Sequence, residues 1–162
     1  MDSDFWVVNA SPLILLYKAQ SLHLLPDMSK SVVIPSIVTR EIGAKKDGMH
    51  LLEELQKYSE FLIKQEENVP LDILAWDLGA GETQVIVYGK RYGADRVVLD
   101  DLEARRCAKV LGVVTIGTLG LVARAKKLGV LSQARPVIER LCQHGLYATN
   151  ELINWILNEV GE

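Results

Sequence analysis

Short apolar runs without polar alternation punctuate this chain, and between them apolar side chains recur every three or four positions. Phe5-Trp6-Val7-Val8, Val32-Val33-Ile34, Phe61-Leu62-Ile63, Arg96 to Asp100 and Val113-Val114-Thr115-Ile116 read as strands buried on both faces. The stretches between them read as helices with recognisable starts and stops. Ser11 and Pro12 look like an N-cap and a first helical residue, with Leu13, Leu16 and Tyr17 as the apolar stripe, and Leu22, Leu24 and Leu25 suggest a second short piece. Further helices are expected over Ser36–Ile42, Gly48–Tyr58, Leu71–Leu78, Gly81–Tyr92, Asp101–Leu111 and Thr118–Leu128. Gly43, Gly79, Gly93, Gly112 and Gly129 stand where most of these should stop. Two more, near Arg135–His144 and Asn150–Val160, finish the chain.

Strands that alternate with helices and are apolar throughout predict an α/β protein: a three-layer α/β/α sandwich around a mostly parallel sheet. The expected organisation is one domain over residues 1–162, with C-terminal helices from about residue 133 and no linker or repeat. In such a fold, ligands bind outside the carboxyl ends of the strands. Asn9 and the Asp100-Asp101 pair fall at strand C-termini, so they belong on one edge of the sheet. Glu41 and Glu82, on helices, are within reach of that edge.

Composition narrows the picture. Hydrophobic residues make up 49% and charged residues 24%, an ordinary globular balance. The run from Phe5 to Tyr17 is broken by Asn9, Ser11 and Pro12 and lacks a basic leader, which argues against a signal peptide or membrane span. Two cysteines, Cys107 and Cys142, without CxxC spacing, fit a reducing, cytoplasmic setting. The net charge of −3 argues against binding nucleic acid by bulk electrostatics, but residues 90–127 carry nine Lys/Arg against four Asp/Glu. That segment is either a basic surface beside an acidic site or a solvated face on two helices.

Taken singly, the candidate acids have ordinary explanations. Glu82 lies in a helical first turn, where the dipole favours a carboxylate; Asp101 is an N-cap; Asn9 is a turn residue; Glu41 is a surface acid near Arg40 and Lys45. Together, at one sheet edge, they would repel unless a cation intervened, and a cluster of oxygen donors is what Mg²⁺ or Mn²⁺ requires. Other chemistries lack their patterns: His23, His50 and His144 are isolated, and no GxSxG, GxGxxG or Walker A sequence occurs. Gly79-Ala80-Gly81 reads as a tight turn leading into a helix.

The order Val8-Asn9-Ala10-Ser11-Pro12-Leu13-Ile14, Ile34-Pro35 with Val38 and Glu41, Leu78-Gly79-Ala80-Gly81-Glu82, Leu99-Asp100-Asp101 with Ala104-Arg105, and Gly117-Thr118-Leu119-Gly120 with Ala125-Lys126 and Gly129 resembles the PIN-like domains related to VapC-type toxin ribonucleases. The resemblance runs from about Val7 to Leu157. It implies a Rossmann-like sandwich, a Mg²⁺/Mn²⁺ site and metal-dependent cleavage of RNA. By position it implies Asn9, Glu41, Glu82 and either Asp100 or Asp101 as metal ligands, the four acids among them being catalytic. Ser11 and Thr118 would orient a ligand or water, and Arg105 and Lys126 would contact phosphate. It also implies a small antitoxin as partner and a homodimer. Asn9 departs from the family pattern: it offers a neutral carbonyl where the family has a carboxylate, which should weaken metal binding. The alternative expectation is therefore a weak or inactive module that binds RNA or a protein partner.

Overall fold

The structure, a computed structural model, describes residues 4–162; the first three residues of the expected domain lie outside the described range. Within the described residues, five parallel strands form the centre: β1 (Phe5–Val8), β2 (Ser31–Pro35), β3 (Phe61–Lys64), β4 (Arg96–Val98) and β5 (Thr115–Ile116), in the order β3-β2-β1-β4-β5. β1 sits in the middle because its Trp6, Val7 and Val8 are apolar and almost fully buried, as only a strand covered on both faces can be. The register pairs Val7 with Val33 on one side and with Val97 on the other. Where Trp6 pairs with Arg96, the guanidinium lies 5.7 Å from the indole ring centre, so the cation covers the aromatic end of the strand.

Among the described residues, ten helices cover the sheet: α1 (Ala10–Lys18), α2 (Leu24–Met28), α3 (Ser36–Gly43), α4 (Gly48–Leu55), α5 (Leu71–Leu74), α6 (Ala80–Tyr92), α7 (Leu102–Val110), α8 (Thr118–Lys127), α9 (Arg135–Gln143) and α10 (Asn150–Glu159). α6 lies across β1, β2 and β4 and carries α5 and α7 beside it. α1, α2, α8 and α9 pack on one another in the other layer, and α3 touches both α1 and α6. This is the three-layer α/β/α arrangement the strand and helix pattern predicts, with a sheet that is parallel throughout. Among the described residues, no helix is long and apolar enough to cross a membrane.

Several boundaries differ from expectation, each for a local reason. α1 starts at Ala10, not after a Ser11 cap: Asn9 takes the extended N-cap conformation, and Pro12 lies within the first turn, where a missing N–H costs nothing. α4 stops at Leu55 because Gln56, Lys57 and Tyr58 close tighter turns onto Glu53, Glu54 and Leu55. α5 ends at Leu74 for a similar reason, with Asp77 left-handed just beyond. β4 ends at Val98 rather than Asp100, and its last carbonyl accepts the Asn9 N–H at 3.2 Å. Past that bond, the chains after β1 and β4 turn into helices, and the site lies where they part.

Candidate functional site

The centre of the carboxyl edge is a glycine. Gly81, buried in the first turn of α6, donates its N–H to Glu41 Oε1 at 3.1 Å, which ties α3 to α6. A Cβ at this position would lie 2.6 and 2.9 Å from the two Glu41 carboxylate oxygens and 3.0 Å from Asn9 Oδ1. Only hydrogen leaves room there for both side chains to close on one point. Gly81 is therefore more than the tight turn expected from sequence, because its missing side chain creates the space that the two oxygens face.

Asn9 is 7% exposed, and its Oδ1 is buried without a hydrogen-bond partner. An unpaired buried carbonyl costs on the order of 1–3 kcal/mol in desolvation, so its persistence needs a reason. The Asn9 backbone is fixed by its bond to Val98, and the helix that starts at Ala10 holds the side chain over Gly81.

Glu82 follows directly. Its Oε2 accepts the Gly79 N–H at 3.3 Å, so the side chain folds back to cap its own helix. Its pKa is raised: burial disfavours the charge most, and repulsion from Asp101 adds to it. The Gly79 bond works against the shift, and Glu41 repels more weakly. Three carboxylates thus share one electrostatic neighbourhood.

The two aspartates divide their roles. Asp100 turns toward β5, where Oδ1 accepts the Thr118 N–H at 2.7 Å and Oδ2 accepts the Thr118 hydroxyl at 2.6 Å. Asp101 caps α7 by accepting the Ala104 N–H at 2.9 Å. Asp101 is the aspartate that acts on Glu82, whereas Asp100 joins β4 to the start of α8. Arg105 reaches the same corner: its Nη1 and Asp100 Oδ1 lie 3.1 and 3.2 Å from where a Gly117 Cβ would stand. Lys126 does not reach the site. It lies eight residues along α8 from Thr118, about 12 Å on the helical rise, and its ammonium binds the Ser132 carbonyl at 2.6 Å and Glu162 at 3.6 Å.

Asn9, Ser11, Glu41, Glu82 and Lys45 line a shallow cleft of about 440 Å³. Lys45, which the sequence offers only as a neighbour of Glu41, follows α3 and brings a positive charge into this lining, outside the basic segment 90–127. Among the described residues, no group of three or more His, Cys, Asp or Glu side chains is gathered closely enough to hold a metal ion. The donors that do converge are oxygens, the Glu41 carboxylate with the unpaired Asn9 carbonyl, and Glu82 stands beside them. That set suits a hard cation that keeps several of its waters and takes one or two carboxylates.

A family model described as a PIN domain, DUF3368, matches residues 5–162. No curated protein and no solved structure matched the chain.

Proposed function

The chain belongs to the PIN-domain family, whose fold is of a nuclease type, and from that premise we propose that it is a Mg²⁺- or Mn²⁺-dependent endoribonuclease, the toxin of a toxin–antitoxin pair. The observation that carries this reading is the unpaired Asn9 Oδ1, buried and facing the Glu41 carboxylate across Gly81. In this reading Asn9 and Glu41 hold the ion, with Glu82 and Asp101 adding negative charge from the flank. Bound there, the ion supplies a Lewis acid for a phosphoryl oxygen and an activated water.

The chain's own residues do the positioning. Gly81 holds Glu41 through its N–H and keeps the space before it open. Gly79 holds Glu82 in the same way, so neither carboxylate has to be reorganised when a phosphodiester arrives. Asp100 and Thr118 fix the loop from which Asp101 projects. In this reading Arg105, whose Nη1 lies beside Asp100, meets a phosphate, and Ser11, exposed in the first turn of α1, borders the cleft. In this reading the partners are RNA, a small antitoxin and a second copy of the chain.

A second reading, an RNA-binding module with little or no turnover, is favoured by the neutral Asn9 and by the absence of a group of three acids among the described residues. Cleavage of single-stranded and structured RNA with Mg²⁺ or Mn²⁺, for wild type and for Glu41→Gln and Glu82→Gln, separates the two. Loss of cleavage in both variants supports the ribonuclease. Equal cleavage by all three proteins removes these residues from the chemistry, and RNA retention in EDTA with no turnover in Mn²⁺ favours the module.

A further inference from the structure

A second cleft opens beside the acidic one. It has a volume of about 540 Å³ and shares two walls with its neighbour, Ile14 and Lys45. Lys18, at the end of α1, Lys46, in the turn after α3, and His50, on α4, join Lys45 around it, and all four are exposed. Tyr17 adds an aromatic ring and Leu51 an apolar floor; Asp47 is the one acid in the lining. None of Lys18, Lys45 and Lys46 stands in an ion pair among the described residues, whereas Arg91, Arg106 and Lys126 each have a carboxylate partner. Basic charge without a carboxylate partner therefore lines this cleft, and Lys45 carries it to the wall of the acidic one.

The turn that carries these lysines is fixed rather than loose. Lys45 N–H donates to the Ile42 carbonyl at 3.0 Å, Gly48 N–H donates to the Lys45 carbonyl at 3.1 Å, and Asp47 is left-handed at φ 62°. A Cβ on Gly48 would lie 1.8 Å from the Ile42 carbonyl oxygen, so the turn closes this tightly only with glycine. Since Ile42 follows Glu41, the lysines are held at a set distance from that carboxylate.

We propose that this cleft holds the single-stranded RNA flanking the scissile phosphate, with Lys45 and Lys46 on backbone phosphates and Tyr17 offering a ring for a base. The inference rests on the ribonuclease reading for its substrate. Its charge logic is independent: an acidic centre repels phosphate, and cations on the same continuous surface offset that repulsion while leaving the centre free for an ion. Spaced positive charges with an aromatic between them suit a flexible single strand, whose bases can turn toward a ring.

The test uses the full chain in EDTA, so that binding is read without turnover. A short fluorescein-labelled single-stranded RNA is titrated with wild type, with K45E/K46E, and with a control of equal charge change, K109E/K127E, after circular dichroism confirms that all three fold. The expected result is a Kd raised about tenfold or more by K45E/K46E, with a shallower salt dependence, and a control within about twofold of wild type. Equal weakening by both variants, no weakening by K45E/K46E, or displacement of the RNA by poly-glutamate at matched charge overturns the proposal. Cleavage kinetics in Mn²⁺ separate it from the reading it rests on. A raised KM in K45E/K46E supports the cleft, and an unchanged KM overturns the cleft alone. RNA binding lost in K45E/K46E while wild type shows no cleavage leaves the cleft standing and removes the ribonuclease.

Discussion

Asp100 gives both carboxylate oxygens to Thr118, one to its backbone N–H and one to its hydroxyl. The pair spans β4 and the first residue of α8 and closes the edge of the sheet opposite Glu41. Thr118 is fully buried, so its hydroxyl has no water to replace Asp100. Thr118→Val keeps the side-chain shape and removes one charge-assisted bond. The expected loss is about 1.5 kcal/mol, the low end for a bond to a charged group because Asp100 is only partly buried. A urea titration that shows an unchanged midpoint would remove this pair from the account of the edge.

Gly81→Ala separates folding from site geometry. The atoms that a new methyl meets are the ends of the Glu41 and Asn9 side chains, which can swing aside. Alanine also favours the helix by about 0.8–1 kcal/mol over glycine. The variant should therefore melt close to the wild-type temperature, the helix gain offsetting the lost Gly81–Glu41 bond, and yet bind Mn²⁺ at least about tenfold more weakly, because Glu41 loses its place. Isothermal titration with Mn²⁺ beside a thermal melt reads both quantities, and wild-type affinity in a folded variant would show that Gly81 does not shape the ion site.

Asn9→Asp restores a charge where the buried carbonyl stands alone. Without metal, that charge adds to the repulsion from Glu41, so the variant in EDTA should melt below wild type. With Mn²⁺ the order should reverse. A tenfold tighter site at saturating ion adds about 1.4 kcal/mol of stability. Thermal shift in EDTA and in Mn²⁺ checks both signs, and an ion response equal to that of wild type places Asn9 outside the site.

A pH dependence is expected far from this edge. Glu162 accepts the Ala134 N–H at 2.6 Å and the Arg135 N–H at 3.1 Å, where α9 begins. The Ala134 bond, chiefly, lowers its pKa; burial opposes the shift, and Arg135 N–H and the Lys126 ammonium assist. A carboxyl with a depressed folded-state pKa stabilises above its unfolded value, and that contribution is lost as pH falls through the folded value. Glu162→Gln should therefore lower the melting temperature at neutral pH, and the gap to wild type should close in acid below the ordinary glutamate range. A gap that does not change with pH would show that the charge of Glu162 contributes nothing.

Much of this architecture is legible from punctuation. Gly93 and Gly112 end their helices left-handed where the sequence places the stops, and the apolar runs become the five strands in a sheet whose parallel sense follows from the helices between them. The convergence of Asn9, Glu41 and Glu82 near the strand C-termini is legible for the same reason. The cap that Asp101 places on α7 is legible too, whereas the pairing of Asp100 with Thr118 is not, because it depends on β5 lying beside β4. The sequence offers Lys45 only as a neighbour of Glu41; its place in the wall of both clefts depends on the tight turn that Gly48 allows, which leaves no mark in charge composition. Lys126 failed to reach the edge because α8 runs away from it, and a family motif carries no direction.

The central position of β1 bears on when such a chain can act. Asn9, Glu41, Glu82 and Asp101 stand on four segments separated by 19 to 41 residues, and the strand that precedes Asn9 finds one of its two neighbours, β4, only after most of the chain exists. Long-range pairing of this kind forms late, since the closure of large loops must precede its reward. A nascent chain on a ribosome would carry Asn9 and Glu41 early and hold no assembled edge until β4 had emerged. If the chain is the ribonuclease proposed above, that order of assembly keeps it harmless to its own message while it is being made.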